Sequence, residues 1–248
     1  MENLEIPSSQ PQPAETNQHR TLNLDYTWRK FKTLISDEKN PDKPLYIIDY
    51  KIIPKPKFTF RSVGNITDDI NIDSKDVKID AIEAASEIIG KSSLHTFKID
   101  ADYECNGHKD TLIAQKRFKT SYTHRSAVLT KKGKPAVLSW TGECGITTWE
   151  FVCVDEDQSP LGKFTVNMWG LKKVGKIELM GPLADSQALV DEIVVTGVTL
   201  GYLMIWRANN CLSLVGALFN SPGRDNKFIS NNVKDGRTAE EPALHAHI

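Results

Sequence analysis

Residues Asp185 to Ala208 read DSQALVDEIVVTGVTLGYLMIWRA, and the centre of this stretch decides the fold. Acids stand in its first turns and Arg207 near its end, the order that a helix dipole favours. Between Ile193 and Trp206 there is no charge and no polar face. A helix that is apolar all round must be enclosed, either by lipid or by protein. Its 14 uncharged residues would span roughly 21 Å at about 1.5 Å per residue. That is short of the ~30 Å hydrocarbon core of a bilayer, which favours enclosure by protein. Gly197 and Gly201 form a GxxxG pair. In a membrane such a pair lets two helices approach closely, and inside a ring of strands it lets one helix lie tight against the wall. The helix residues expected to matter most are Ile193, Gly197, Gly201, Leu203 and Trp206.

The preceding sequence supplies such a ring. From Thr96 to Cys105, Phe97, Ile99, Ala101, Tyr103 and Cys105 alternate with Lys98, Asp100, Asp102 and Glu104. A period of two means a strand with one buried and one wet face. The alternation recurs at Phe58/Phe60, Trp149/Phe151/Cys153, Phe164/Val166/Met168 and Ile177/Leu179. Apolar or mixed runs at Leu45 to Ile53, Thr111 to Lys119, Tyr122 to Thr130 and Pro135 to Thr141 bring the expectation to about nine strands. Turn signals separate them at Asn106-Gly107, Lys132-Gly133-Lys134, Asp155 to Pro160 and Gly170 to Gly175. Consecutive hairpins imply an antiparallel meander. Since eight strands already leave little room beyond their own side chains, a larger ring needs a filler, and the apolar helix provides it. The expected class is therefore mainly β, a closed antiparallel β-barrel around a central hydrophobic C-terminal α-helix.

Outside this frame, a short helix is predicted over Asp80 to Gly90, with Asp80 as N-cap, Glu83 at the capping-box position and Gly90 as stop. Leu24, Trp28, Phe31 and Ile35 recur at helical spacing with basic residues between them, while Leu22, Leu24, Tyr26 and Trp28 alternate like a strand. The first pattern reads as an interfacial helix and the second as the first barrel strand. A helix of about twelve residues rarely holds alone in water, which favours the strand. Residues 1–20 carry three prolines and no apolar run, so they read as a disordered arm without an export signal. Residues 221–248 read as a second disordered tail, leaving 21–220 as the barrel domain. The sequon Asn65-Ile66-Thr67 then has no role, and the four cysteines, without metal spacing, are expected to stay reduced in the cytosol.

The run Asp191-Glu192-Ile193-Val194-Val195-Thr196-Gly197, continuing through Leu200 to Trp206, resembles the C-terminal helix of the tubby C-terminal-like superfamily. That group includes tubby-like proteins, phospholipid scramblases and LURP-one-related proteins. The late strands Gly162-Lys163-Phe164-Thr165-Val166 and Gly175-Lys176-Ile177-Glu178-Leu179 are also similar to it. The resemblance covers Leu45 to Ala208 and implies a closed barrel around a hydrophobic helix. Two departures stand out: an apolar run from Cys211 to Phe219 beyond the helix, and no acidic metal-binding loop of the scramblase kind.

At 248 residues, 40% hydrophobic and 25% charged, the composition excludes collagenous, disulfide-scaffold and wholly disordered classes. A net charge of -1 argues against a nucleic-acid partner. No nucleophile elbow, phosphate loop, HExxH or EF-hand spacing occurs, so neither an enzyme nor a metal or other cofactor is expected. Cys105 with His108 has the residue types of a nucleophile and base but sits at a hairpin end, and Asp100, Asp102 and Glu104 read as a solvated strand face rather than a calcium site. His245 and His247 read as an exposed terminus. The charge pattern says more. Lys109 to Lys134 carries eight basic residues against Asp110, and Asp68 to Glu87 carries seven acids against Lys75 and Lys78. The expected ligand site is a basic strand face of Lys116, Arg117, Lys119, Arg125, Lys131, Lys132 and Lys134, with Lys172, Lys173 and Lys176 on a later turn. Tubby-like barrels bind phosphoinositide headgroups through basic strand residues, so the resemblance implies a non-enzymatic module binding anionic phospholipid, cytoplasmic and peripheral to membranes. The alternatives are a barrel with an unknown protein partner in signalling or stress response, as LURP-one-related proteins would allow, and a scramblase-like protein anchored by its helix.

Overall fold

The computed structural model describes residues 19–209 except 28–29, 52, 54, 65–74, 118, 146, 168, 171 and 183, and omits the side chains of 75–78. Residues 1–18 and 221–248 of the expected tails, the sequon, the two terminal histidines, Trp28 and the Cys211 to Phe219 run lie outside the described residues, whereas His19 and Arg20, expected in the disordered arm, open the first strand, paired with Met180 and Leu179. Twelve strands run in chain order: β1 (His19–Thr27), β2 (Lys32–Asp37), β3 (Asn40–Lys51), β4 (Lys57–Ser62), β5 (Glu87–Leu94), β6 (Ala101–Cys105), β7 (His108–Ala114), β8 (Thr120–Lys131), β9 (Lys134–Cys144), β10 (Thr148–Val154), β11 (Pro160–Asn167) and β12 (Lys173–Met180). Each pairs antiparallel with its chain neighbours, and β1 closes on β12, from His19 opposite Met180 to Asp25 opposite Lys173. Helix α1 (Lys75–Ala85) joins β4 to β5, and α2 (Gln187–Asn209) follows β12.

Alternation drives the closure. Leu22, Leu24, Phe58, Phe60, Tyr122, Leu138, Trp140, Phe151, Ile177 and Leu179 all enter one core with α2. Within α2, every residue from Leu189 to Gly201 is buried. By length and composition α2 qualifies to cross a membrane, with mean hydropathy 1.7 over an 18-residue stretch, yet 83% of that stretch is buried inside the barrel. The glycines make this possible. A Cβ on Gly197 would stand 2.9 Å from Trp140 Cη2, and one on Gly201 only 2.6 Å from Phe164 Cε1. Leu203 is fully buried, while Trp206 is partly buried at the end of the helix.

Several expectations change. The ring has twelve strands rather than about nine, because β1, β2 and β5 add to those read from alternation. The segment from Leu22 to Ile35 supplies β1 and β2, settling it as strand on both sides of the turn. Gly90 stops no helix: α1 ends at Ala85, and Gly90 lies within β5 opposite Cys105. Asp80 is not its N-cap either, since α1 begins at Lys75. The Thr96 to Cys105 strand shrinks to Ala101–Cys105, and Phe97 is 63% exposed in the preceding connection. The Thr111 to Lys119 strand ends at Ala114. Helix α1 instead lies along the outer wall, where Ile82 joins Ile47, Val63 and Leu34.

Candidate functional site

Of the residue types that suggested catalysis or metal binding, the three carboxylates are already engaged, and Cys105 and His108 meet only as a strand pair. Cys105 and His108 face each other across a two-residue turn in which Asn106 and Gly107 both take positive φ, 47° and 80°. Burial pushes the Cys105 thiol up to about 12, far from a reactive thiolate. Asp100 accepts the Ala114 N–H at 2.8 Å, Asp102 accepts the Thr111 hydroxyl at 3.0 Å, and Glu104 lies 3.8 Å from Lys109. Among the described residues no group of three or more His, Cys, Asp or Glu is arranged to hold a metal ion.

Sequence reasoning missed a polar layer inside the barrel, where α2 enters. Asp191 accepts hydrogen bonds from the Tyr46 hydroxyl at 2.8 Å, the Gln187 amide at 2.7 Å and the Asn106 amide at 3.2 Å. Burial and the Asp191 charge push the Tyr46 phenol far above its ordinary range. Glu192 is fully buried and accepts the Ser126 hydroxyl on Oε2 at 2.7 Å and the Ala127 N–H on Oε1 at 3.1 Å, with His124 Nε2 3.4 Å from Oε1. These two carboxylates tie the start of the helix to β3, β8 and the β6–β7 turn. The signal was present as two adjacent acids before an apolar run, which also fits an exposed first turn.

The expected basic plate is divided. Lys116, Arg117 and Lys119 occupy the β7–β8 connection, while Lys131, Lys132 and Lys134 surround the β8–β9 turn. The 12-residue strand between them spans roughly 36 Å at about 3.3 Å per residue, with Arg125 exposed midway. The two clusters therefore sit at opposite ends of the barrel. Their surroundings differ too. Lys131 pairs with Asp157 at 2.5 Å and Glu156 at 3.7 Å on the β10–β11 turn. At the other end, Arg207 donates to the Tyr122 hydroxyl at 2.6 Å and the Arg117 carbonyl at 2.8 Å, fixing the helix exit beneath the β7–β8 connection. Lys116 and Lys119 are exposed, with no ion pair among the described residues.

The antiparallel order places six connections at the helix-exit end: β1–β2, β3–β4, β5–β6, β7–β8, β9–β10 and β11–β12. Their described residues carry Lys30, Lys55, Lys98, Lys116, Arg117, Lys119 and Lys172 against one acid, Asp100. Lys30 is paired with Asp80 at 2.5 Å on α1. Burial raises the Asp100 pKa, and its carboxylate is engaged by the Ala114 N–H at 2.8 Å. At the helix-entry end, the turns β2–β3, β6–β7, β8–β9, β10–β11 and β12–α2 carry Glu38, Asp155, Glu156, Asp157 and Asp185 against Lys39 and Lys132. Among the described residues of these connections, a near-neutral chain thus presents one basic end and one acidic end of the barrel. Lys173 and Lys176 lie in β12 rather than on a turn, and Lys176 is paired with Glu178. A cleft of about 640 Å³ on the outer wall, lined by Lys57, Lys91, Lys109, Asp102 and Glu104, mixes both signs and offers no comparable field.

No family model matches the sequence, and no curated protein or solved structure matches the chain.

Proposed function

We propose that the protein is a non-enzymatic binding module that docks on anionic phospholipid surfaces, phosphoinositide headgroups among them, through the helix-exit end of its barrel. The observation that carries this reading is the gathering of exposed basic residues at that end, where Lys55, Lys98, Lys116, Lys119 and Lys172 form no close ion pair among the described residues, Lys98 feeling only the more distant charge of Asp100. A negatively charged lipid surface attracts each nearby lysine by about 1 kcal/mol, so five such groups give useful affinity without a deep pocket. The resemblance to tubby-like barrels points to the same ligand class. The protein then acts peripherally, from the cytosol, with its hydrophobic helix kept inside the barrel.

Sedimentation with vesicles tests it. Replacing Lys116, Lys119 and Lys172 by Glu should weaken binding to phosphatidylserine-containing vesicles by about a hundredfold, as the loss of about 3 kcal/mol implies. Replacing Lys132 and Lys134 by Glu, at the opposite end, should change it little. Equal losses from both variants, or no binding by the unaltered protein at low salt, would remove the proposal.

A further inference from the structure

The helix-exit end is more than basic. Phe31 is 61% exposed, Ile53 87%, Phe97 63% and Trp169 74%, and the one other exposed large hydrophobic side chain among the described residues, Ile88, is less so at 45%. Phe31 belongs to the β1–β2 connection, Ile53 to β3–β4, Phe97 to β5–β6 and Trp169 to β11–β12. Since β12 adjoins β1, these are four successive connections around the rim, followed by the β7–β8 connection with Lys116 and Lys119. Each of the four also carries a lysine within three residues of its apolar tip. Phe31 holds a φ of 51°, a left-handed conformation that is strained for a bulky residue and directs the chain through a tight reversal.

We infer that these four side chains insert into the interfacial region of an anionic bilayer, so that the barrel stands on its helix-exit end with α2 pointing into the membrane surface. The inference rests on the proposed function and specifies its geometry. Separate prongs around a rim suit a fluid planar surface better than a folded partner, whose interface needs one continuous apolar centre. The spacing of chemistry fits as well. Aromatic rings settle at headgroup depth, and flanking lysines extend their ammonium groups to the phosphates above. Charge brings the barrel to the surface and the tips hold it there.

The two contributions separate by salt. Raising ionic strength from about 0.1 M to about 1 M shortens the screening length from about 10 Å to about 3 Å, suppressing charge attraction while leaving apolar insertion. The full chain carrying Phe31→Ser, Ile53→Ser and Trp169→Ser is compared with the Lys116→Glu, Lys119→Glu variant on phosphatidylcholine vesicles containing one-third phosphatidylserine. A fully buried large apolar side chain contributes about tenfold, so three partly immersed tips should account for at least thirtyfold in affinity. The tip variant should lose this at low salt, keep the steep salt dependence, and show no binding at high salt. The lysine variant should instead flatten the salt dependence. Since the tips are exposed, the tip variant should melt with the unaltered protein. If it binds vesicles like the unaltered protein while lysine reversal abolishes binding, docking is by charge alone, and insertion is wrong although the function stands. No vesicle binding by the unaltered protein removes both. A lowered melting temperature in the tip variant would assign the tips to a contact within the chain, with the apolar Cys211 to Phe219 segment as the candidate cover. Loss of self-association with unchanged vesicle binding would assign them to a second copy. Either result overturns insertion.

Discussion

Replacing Gly201 by Val tests whether the helix is a tightly held core element. The new Cβ would stand 2.6 Å from Phe164 Cε1 and 3.4 Å from Cζ. Phe164 is 4% exposed and its ring lies beside that of Phe151, with centroids 6.1 Å apart, so it has little room to retreat. Removing a helical glycine is by itself favourable, by roughly 0.5 kcal/mol for Gly to Val. Overpacking a dense core costs about 1–3 kcal/mol, and Val adds three carbons at the point of overlap. The overlap wins, leaving a net loss of about 2 kcal/mol. For a domain of this size that lowers the melting temperature by about 4–8 °C, readable by near-ultraviolet circular dichroism. Combining it with Phe164→Leu should recover part of the loss relative to the sum of the single changes, because the two residues share one contact. An unchanged or raised melting temperature for Gly201→Val would refute the packing, since a helix free of the wall would feel only the propensity gain.

Three further outcomes follow from the same structure. Glu192→Ala strands the Ser126 hydroxyl, the Ala127 N–H and His124 inside the barrel, and should cost about 3 kcal/mol in urea unfolding, whereas a change under ~0.5 kcal/mol would mean the layer carries no load. Asp37 is partly buried, which alone would raise its pKa, but the Lys39 N–H and the Arg20 guanidinium 2.8 Å away hold it below the ordinary carboxylate range. Its folded pKa is thus below its unfolded value of about 3.9, so its stabilisation is full above that pH and fades as pH falls through the lower value. Unfolding curves of the protein and of Asp37→Asn should converge toward strong acid, and a constant gap would exclude the linkage. Finally, burial holds the Cys105 thiol at about 12 and raises that of Cys153 well above its ordinary value, while Cys144 is exposed. Maleimide at neutral pH should label Cys144 in the folded protein and reach Cys105 and Cys153 only after unfolding, as read by peptide mass spectrometry.

What the sequence revealed, and what it hid, have physical reasons. Nine strands announced themselves because their inward faces are large and apolar, and α2 because its interior position removes any polar stripe. Strand β5 stayed hidden where the helix presses on it. A Cβ on Gly90 would stand 2.8 Å from Val195 Cγ2, and the inward side of the strand continues with Ser92. Small residues at the helix–wall seam erase the alternation by which a strand is recognised. The same seam includes Gly162, whose Cβ would stand 3.0 Å from Ile193 Cγ2. Strands β1 and β2 were ambiguous because a turn ending at Phe31 interrupts their period. The basic run misled for a different reason: residues contiguous in sequence are separated by a whole strand. Charge along the chain therefore gave the sign of the candidate site but not its place, which depends on which connections share an end.

The most direct test of the account is to measure which end of the barrel faces the membrane. With Cys144 and Cys211 replaced by Ser, a fluorophore is placed at Lys98→Cys in the β5–β6 connection or at Lys132→Cys in the β8–β9 turn, and energy transfer to an acceptor on anionic lipid headgroups is recorded. Docking by the helix-exit end gives strong transfer from position 98 and weak transfer from position 132, across a strand span of roughly 36 Å. Equal transfer from both positions would mean a barrel lying on its side, stronger transfer from position 132 would mean docking by the acidic end, and either result would contradict it.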